Sequence, residues 1–262
     1  MNLDLTNKNA IVCGSTQGLG WATAVELALL GANLTLVARN EDSLKEKVKL
    51  LNTAFGQQHD YFVADFTAPN SVKEGIKNYL NQGKTIHILV NNTGGPAGGQ
   101  IIEATAEDFI NTFNAHLVCN QILVQAVVEG MKKAEFGRVI NIISTSVKQP
   151  INGLGVSNTI RAAVAAWAKT LANELGQFGI TVNNVLPGYT QTARLDYVLN
   201  NRAAASGTNL EAMRELTTKD IPAGRIGLAE EFGAAAAFLC SPAAAYINGV
   251  NLPVDGGRLG CL

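Results

Sequence analysis

The sequence lacks the features that mark nucleic-acid-binding and membrane proteins. Its 262 residues include 20 Lys and Arg against 21 Asp and Glu, a net charge of -1, so no cationic excess is present to attract nucleic acid or an anionic membrane surface. No apolar run approaches the ~20 residues that cross a bilayer. The first residues also do not show the basic and then apolar pattern of a signal peptide. We therefore predict a cytoplasmic protein with no membrane and no nucleic acid among its partners.

Cysteine and histidine are also scarce, which bears on metal binding. The chain has three His and four Cys, namely Cys13, Cys119, Cys240 and Cys261. The cysteines form no C-x-x-C pair and the histidines are dispersed, whereas a zinc site needs closely spaced ligands. The G-x-S-x-G element of a serine hydrolase is missing as well. We therefore predict thiols that pack as small apolar side chains, and no bound metal.

The chain does contain many apolar residues, 47%, and 26 glycines. Short apolar runs typical of buried strands alternate with segments of helical spacing. The strand-like segments are 9–13, 33–38, 61–64, 86–90, 139–143, 180–186 and 250–254, and the helix-like segments are 19–30, 43–51, 72–80, 107–133, 158–176 and 230–239. This alternation predicts an α/β fold, a doubly wound, Rossmann-like parallel sheet with helices on both faces. No linker divides the chain, so we expect a single domain spanning 1–262, with the more polar and less regular residues 190–222 as a substrate loop or lid.

The turn after the first strand carries a glycine pattern typical of nucleotide binding. Gly14, Gly18 and Gly20 lack Cβ atoms where the chain must turn sharply and pass close to a pyrophosphate. The helix that follows offers free N–H groups and a partial positive charge to phosphates. The pattern predicts that a dinucleotide contacts the whole turn, namely Gly14, Ser15, Thr16, Gln17, Gly18, Leu19 and Gly20. The alternative is that the glycines serve only a tight strand-to-helix turn.

The end of the second strand distinguishes between the two nicotinamide cofactors. An acidic residue there hydrogen-bonds the ribose 2′-hydroxyl of NAD and repels the 2′-phosphate of NADP. The sequence has Ala38 at that position, followed by Arg39 and Asn40. Because a guanidinium can bind phosphate through two hydrogen bonds, we predict that NADP(H) is preferred over NAD(H). The alternative is that Arg39 is a solvated surface side chain.

Further motifs follow in a fixed order along nearly the whole chain. They are Asp65-Phe66 after the third strand, Asn91-Asn92-Thr93-Gly94 after the fourth, Asn114 on the long helix, Ser144 ending the fifth strand, Pro187-Gly188-Tyr189-Thr190 ending the sixth, and Val254-Asp255-Gly256-Gly257 near the C-terminus. Together with the spacing of the glycines, this series resembles the short-chain dehydrogenase/reductase family, and in particular its 3-oxoacyl-[acyl-carrier-protein] reductase-like members. Cys13 departs from the family pattern, which more often has Thr at that position.

The resemblance implies cofactor contacts beyond the glycine turn. In addition to Arg39 and Asn40, they would come from Asp65, Phe66, Asn91, Asn92, Thr93, Gly94, Arg161, Pro187, Gly188, Thr190 and Thr192. The resemblance also implies a small-molecule carbonyl or acyl-thioester substrate. It further implies a homo-oligomer, a dimer or a tetramer, in which the helices 107–133 and 158–176 pair with symmetry mates.

The catalytic centre departs from the family that the chain resembles. The family carries Tyr-x-x-x-Lys, in which Tyr exchanges a proton with the substrate oxygen and Lys binds the nicotinamide ribose. Here these positions hold Ser157, which is 13 residues after Ser144, and Arg161. The resemblance implies that Ser144 orients the carbonyl, that Asn114 organises water and that Arg161 holds the ribose. Arg161 stays protonated and cannot exchange protons, and a serine hydroxyl is shorter and a far weaker acid than a phenol.

The proton donor, and the activity itself, are therefore open at this point. The predicted catalytic set is Ser144, Asn114, Ser157 and Arg161. Ser157 or a water would supply the proton, and the alternative donors are Tyr189, Lys148 and His116. The first hypothesis is an NADP(H)-dependent oxidoreductase that transfers a hydride between nicotinamide and a carbonyl or secondary alcohol, with a 3-oxoacyl thioester as one candidate substrate. The second is a nicotinamide-nucleotide-binding protein with little or no turnover, a sensor or the inert subunit of a complex.

Overall fold

The computed structural model describes residues 1–261, and strands and helices alternate along them. The strands are β1 (Asn9–Cys13), β2 (Asn33–Ala38), β3 (Asp60–Val63), β4 (Ile88–Asn91), β5 (Gly137–Ile142), β6 (Ile180–Pro187) and β7 (Asn251–Val254). The helices are α1 (Gly18–Leu29), α2 (Glu41–Leu50), α3 (Pro69–Leu80), α4 (Ala106–Phe113), α5 (Cys119–Lys133), α6 (Gly155–Leu175), α7 (Ala193–Ala205), α8 (Leu210–Lys219) and α9 (Ala229–Cys240). A π-helical turn, Asn114–Val118, joins α4 to α5.

All seven strands form one parallel sheet in the order β3-β2-β1-β4-β5-β6-β7. The fold class predicted from the sequence is thus confirmed. β1 pairs with β2 on one side and with β4 on the other, so the chain reverses its direction of winding there. In such sheets a crevice opens at this point, outside the carboxyl ends of the strands, and ligands bind in it.

The core lies in two layers, one on each face of the sheet. On one face α1 and α9 pack together around the buried side chains Leu27 and Phe232. Their close approach depends on Gly233, because a Cβ there would lie 2.7 Å from the carbonyl oxygen of Ala22. On the other face α3, α5 and α6 pack around Leu123 and its apolar neighbours. Covering both faces with helices buries the central strands completely, which is why their sequences are continuous apolar runs.

A row of amides crosses the buried half of the sheet. The Nδ2 group of Asn91 on β4 donates to Oδ1 of Asn141 on β5 at 2.9 Å, Asn141 donates to Asn184 on β6 at 2.9 Å, and Asn184 donates to Asn251 on β7 at 2.8 Å. These four residues, the asparagine ladder, occupy matched register positions on neighbouring strands. The three amide hydrogen bonds link matched positions on neighbouring strands, so the ladder fixes the alignment of four strands whose ends carry site residues.

The structure corrects the prediction for residues 190–222, which are helical rather than irregular. Thr192 caps α7 by accepting a hydrogen bond from Leu195 N at 3.3 Å, and Asn209 caps α8 by accepting one from Ala212 N at 2.9 Å. α7 buries Leu195 and Leu199 against the rest of the protein. Leu195, Val198, Leu199 and Ala203 recur at helical spacing, so both the spacing and the caps of this segment are typical of a helix.

The described residues contain neither a membrane-spanning helix nor a cluster of metal ligands. Along residues 1–261, no helix combines the length and the apolar character needed to cross a membrane. In the same part of the chain, no three His, Cys, Asp or Glu side chains lie together in an arrangement that could hold a metal ion.

Candidate active site

One cavity of about 820 Å³ opens at the carboxyl ends of the strands beside the point where the winding reverses. Arg39 and Asp65, after β2 and β3, line one end of it. Ser144, after β5, lines the other end together with Ser157 and Arg161 on α6. The glycine turn after β1 forms part of the wall. A single cavity therefore joins the predicted nucleotide site to the predicted catalytic residues.

The glycine turn has the shape that phosphate binding needs. Gly14 and Gly18 have φ of +55° and +57°, in the left-handed region that favours glycine. Gln17, the N-cap residue of α1, makes no side-chain hydrogen bond to the first turn, so the first N–H groups of the helix are left for a ligand. Ser15 and Gly20 do not line the cavity, contrary to expectation. The Ser15 hydroxyl accepts from Val37 N at 3.1 Å instead.

Gly20 has a packing role within the same turn. A Cβ at this position would overlap the carbonyl oxygen of Gly14, so only glycine lets the helix sit this close to the end of β1. Close packing of helix against strand is one of the uses of glycine in such turns. The remaining members of the predicted set do line the cavity: Gly14, Thr16, Gln17, Gly18 and Leu19.

At the far end of the cavity, Arg39 is exposed and lies beside Asn40, Asp65 and Phe66. The Asp65 carboxylate accepts hydrogen bonds from the backbone and hydroxyl of Thr67, both at 2.9 Å. The backbone bond lowers the pKa of Asp65, and the charge of Arg39 contributes in the same direction. Asn40 caps α2 by accepting from the N–H of its first turn at 2.8 Å. The guanidinium of Arg39 is thus the cationic group at this end of the wall.

The last residue of β4 is buried in the sheet, whereas the residues that follow it line the cavity. Asn91 is buried in the asparagine ladder and does not line the cavity. Asn92 donates to the carbonyl oxygens of Cys13 and Gly14 at 3.2 and 3.1 Å, which fixes the glycine turn against β4. Asn92, Thr93 and Gly94 all line the cavity.

Ser144, Ser157 and Arg161 meet at the opposite end. The Ser144 oxygen accepts from the backbone N–H of Ser146 at 3.0 Å, which leaves its O–H free to donate. Arg161 is buried and donates from Nη1 to the carbonyl oxygen of Ile142 at 2.9 Å. Burial, and then the charge of Arg194, lower the pKa of Arg161 to about 10. Arg161 therefore remains a cation at neutral pH.

The structure does not bring Asn114 to this group. Asn114 begins the π-helical turn, and its neighbour Ala115 lines the cavity in its place. His116, two residues on, is buried close to Arg161. Burial, and then the charge of Arg161, lower the pKa of His116 to about 2, so the ring is neutral.

The end of β6 and the residues after it complete the wall. Pro187, Gly188, Thr190 and Thr192, which the sequence analysis assigned to the cofactor, all line the cavity. A Cβ at Gly188 would lie 2.6 Å from Asp255, so this turn also needs a residue without a side chain.

Of the alternative proton donors, Tyr189 lines the cavity and Lys148 does not. The sequence analysis missed three lining arginines, Arg194, Arg202 and Arg258. The first two lie in the segment predicted as a substrate loop, and the third follows the C-terminal signature. Their positions could have drawn attention to them, but nothing in the local sequence shows that they converge.

Comparisons with known proteins agree with this geometry. Residues 14–258 match a family model described as enoyl-(acyl carrier protein) reductase. The chain is 33% identical over 260 residues to the 3-oxoacyl-[acyl-carrier-protein] reductase FabG of Pseudomonas aeruginosa, covering 97% of this chain and 98% of that protein. It is 28% identical over 256 residues to the NADPH-dependent reductase BacG of Bacillus subtilis, covering 97% of this chain and 99% of that protein.

Solved structures resemble the whole chain. The L-sorbose reductase of Gluconobacter frateurii, crystallised with NADPH and L-sorbose, is 29% identical and superposes with a TM-score of 0.93 over 100% of both chains. YwfH, an NADPH-dependent reductase involved in bacilysin biosynthesis, gives a TM-score of 0.92 at 28% identity over 98% of this chain and 100% of that one. Fold, glycine turn, cavity and relatives agree, and the chain belongs to the short-chain dehydrogenase/reductase family.

Proposed function

We propose that the protein is an NADP(H)-dependent oxidoreductase that transfers a hydride between nicotinamide and a carbonyl or secondary alcohol. The observation that carries this proposal is the single cavity that runs from the glycine turn and Arg39 to Ser144, Ser157 and Arg161. The names of the relatives support it, since BacG and the L-sorbose reductase are associated with NADPH and with reduction.

The residues present fit NADP(H). The left-handed glycines and the uncapped start of α1 leave room and N–H groups for the pyrophosphate. Arg39 supplies a cation where the 2′-phosphate would lie, and Ala38 places no carboxylate there to repel it. When bound, the cofactor supplies the hydride. The protein's part is to bind it, to hold the carbonyl and to stabilise charge.

Each polar group at the reacting end has a role in this scheme. The free O–H of Ser144 donates to the substrate oxygen and orients the carbonyl. Arg161, held by the Ile142 carbonyl, offers its remaining N–H groups to the ribose and to negative charge on that oxygen. Ser157 is too weak an acid to replace a phenol, so it passes a proton from water, and the proton originates in solvent.

The test is NADPH oxidation over a panel of ketones, sugars and 3-oxoacyl thioesters. The native protein is compared with the Ser157→Tyr/Arg161→Lys double variant, and NADPH binding to both is followed by fluorescence. Turnover by the native protein on any member supports the proposal. Tight NADPH binding with no turnover by the native protein, but turnover by the double variant, would overturn it.

The second candidate is a nicotinamide-nucleotide-binding protein with little or no turnover. The observation in its favour is Ser157, which faces the cavity where the family carries its proton donor. Loss of a positioned general acid typically slows catalysis by about 10²–10⁴-fold. The experiment above separates the two candidates, because only this one predicts a native protein that binds NADPH and is silent.

A single domain, a cytoplasmic location and a homo-oligomer remain proposals. The exposed apolar side chains of Ile110 and Phe113 on α4, 53% and 39% accessible, support an interface on that helix. Size-exclusion chromatography with light scattering tests this. A dimer or tetramer is expected, and a single species of monomer mass would contradict it.

A further inference from the structure

Four arginines line the cavity at its Ser144 end. Arg161 lies on α6, Arg194 and Arg202 lie in the first and last turns of α7, and Arg258 follows β7. A Cβ at Gly95 would lie 3.8 Å from Nη2 of Arg194 and 3.9 Å from Nη2 of Arg161. These two guanidinium groups therefore approach the same point of the wall, although they belong to different helices.

Arg202 and Arg258 form a second pair, on either side of Tyr189. Nη1 of Arg202 donates to the Tyr189 hydroxyl at 2.8 Å. The guanidinium of Arg258 lies over the Tyr189 ring, with its carbon 4.7 Å from the ring centre. The Nε atom of Arg258 is buried and has no hydrogen-bond partner among residues 1–261. A buried charged donor without a partner is costly unless a ligand satisfies it.

These cations also lack counter-ions. Within residues 1–261, none of the four has a carboxylate oxygen within 4.0 Å of its guanidinium nitrogens. The neighbouring arginines that do not line the cavity are paired, Arg214 with Asp196 and Arg225 with Glu231. The lining residues of the whole cavity include one carboxylate, Asp65, which lies at the Arg39 end. The Ser144 end is therefore strongly positive.

The nucleotide does not account for this charge. Its phosphates have donors in the glycine turn and in Arg39, which follow β1 and β2. Tyr189, Arg202 and Arg258 follow β6 and β7, on the opposite side of the point where the winding of the sheet reverses. The lining also includes the apolar side chains of Ile151, Leu154, Leu195 and Val198. A substrate that fits has both an apolar body and an anionic group.

We propose that the substrate is a carbonyl compound that carries an oxyanion group, a carboxylate or a phosphate, on an apolar body. Arg202 and Arg258 bind this group beside Tyr189, and Arg161 and Arg194 add to the positive potential around the reacting oxygen. The inference rests on the proposed function and names its substrate class.

The first test uses matched neutral and anionic probes. 4-Oxocyclohexanecarboxylate is compared with its methyl ester, and 4-oxocyclohexyl phosphate with 4-hydroxycyclohexanone. Binding to the NADP⁺-saturated protein is measured by calorimetry, and reduction is measured separately with NADPH. We expect at least a tenfold preference for the anion in one of the pairs, since a charge-assisted bond to Arg supplies about that factor or more. The pair that shows it identifies carboxylate or phosphate.

The outcomes separate this inference from the proposed function. Equal binding of both members in both pairs overturns the anion site, even if the ketones are reduced. Preferential binding of an anion without reduction of any probe supports the anion site and counts against the oxidoreductase.

Variants locate the site. Arg202→Gln and Arg258→Gln should each weaken binding of the preferred anion by about 10- to 100-fold, with NADPH affinity and ester binding unchanged. Arg202→Lys, which keeps the charge, should recover part of the loss. Lys219→Gln is the matched control, because Lys219 is an exposed cation at the end of α8 outside the cavity wall. If Arg202→Gln weakened ester and anion alike, Arg202 would be structural and the assignment wrong.

Discussion

Arg39 offers the sharpest test of cofactor selection, through the Arg39→Ala variant. Its side chain is exposed on the cavity wall and, among residues 1–261, has no carboxylate within 4.0 Å. A hydrogen bond between a charged donor and a phosphate contributes about 1.5–3 kcal/mol, or roughly 10- to 150-fold in Kd. Solvent screens an exposed pair, so the lower half of that range applies. Arg39→Ala should therefore weaken NADPH binding by about tenfold and leave NADH binding nearly unchanged.

The assay is a fluorescence titration of the native protein and the variant with both nucleotides, at low and at high salt. Lys45→Ala is the matched control, since Lys45 is an exposed cation on the adjoining α2 and lies outside the cavity wall. The NADPH preference should shrink as salt rises, because the interaction is between exposed charges.

A substitution that adds a carboxylate at the end of β2 also tests the preference for NADP(H). Ala38→Asp places a carboxylate where it can bind the ribose 2′-hydroxyl and repel a 2′-phosphate, so it should move the preference toward NADH. If the native protein bound NADH as tightly as NADPH, and Arg39→Ala changed neither affinity, the assignment of NADP(H) would be wrong.

Three further predictions concern buried groups. The pKa of His116, about 2 in the folded protein, lies below the 6.5 of an unfolded His, so the unfolded state binds more protons in acid. The free energy of unfolding therefore decreases as pH falls below 6.5, by about 2 kcal/mol at pH 5. His116→Gln should abolish this decrease, which is measured by urea unfolding at pH 5 and at pH 7.5. Asn141→Ala leaves the amides of Asn91 and Asn184 without their partner and should lower the free energy of unfolding by about 2–4 kcal/mol. A decrease of less than about 1 kcal/mol in the same assay would show that the ladder does not stabilise the fold. Arg161 stays a cation through neutral pH although burial lowers its pKa, so it predicts a kcat/KM that is flat from pH 7 to 9, whereas a titration near pH 7 would identify a different group.

Local sequence patterns predicted the strands well. β1 and β2 begin and end where the sequence analysis placed them, because each is a buried apolar run that stops at a residue of different character. The helix starts were less accurate, and α2 begins at Glu41 rather than at 43. Its true start is set by the Asn40 cap, a polar signal that hydrophobic spacing does not register.

Two predicted site residues, Asn91 and Asn114, do not line the cavity. Asn91 was assigned to the cofactor on its position after β4, yet its amide joins the asparagine ladder, and three of the four members lie on strands that follow it much later in the chain. Asn114 was assigned a role by resemblance to the family, and in the structure it begins a π-helical turn whose next residue, Ala115, lines the cavity. The asparagine ladder forms between strands far apart in the chain and the π-helical turn is a local change of helix type, and neither is signalled by a short sequence motif.

The arginines at the reacting end show why site chemistry was harder to predict than the fold. Arg161 lies on α6, Arg202 on α7 and Arg258 after β7. The two arginines that contact Tyr189, Arg202 and Arg258, are therefore far apart in the sequence. The fold depends on many repeated local signals that reinforce one another. The cluster depends on a few side chains that meet only after the sheet has formed, so a sequence argument has nothing periodic to detect.

The charge of this cluster bears on the missing phenol. Hydride delivery to a carbonyl leaves negative charge on its oxygen, which either a proton or a fixed cation can stabilise. Losing a general acid costs about 10²–10⁴-fold, and one preorganised donor supplies about 10²–10³-fold. These magnitudes are comparable. Arg161 takes the place of a Lys that the family already carries, so additional stabilisation has to come from Arg194, whose guanidinium approaches the same point of the wall. Under the proposed function, the role of these arginines is to supply fixed positive charge in place of part of the lost proton donation.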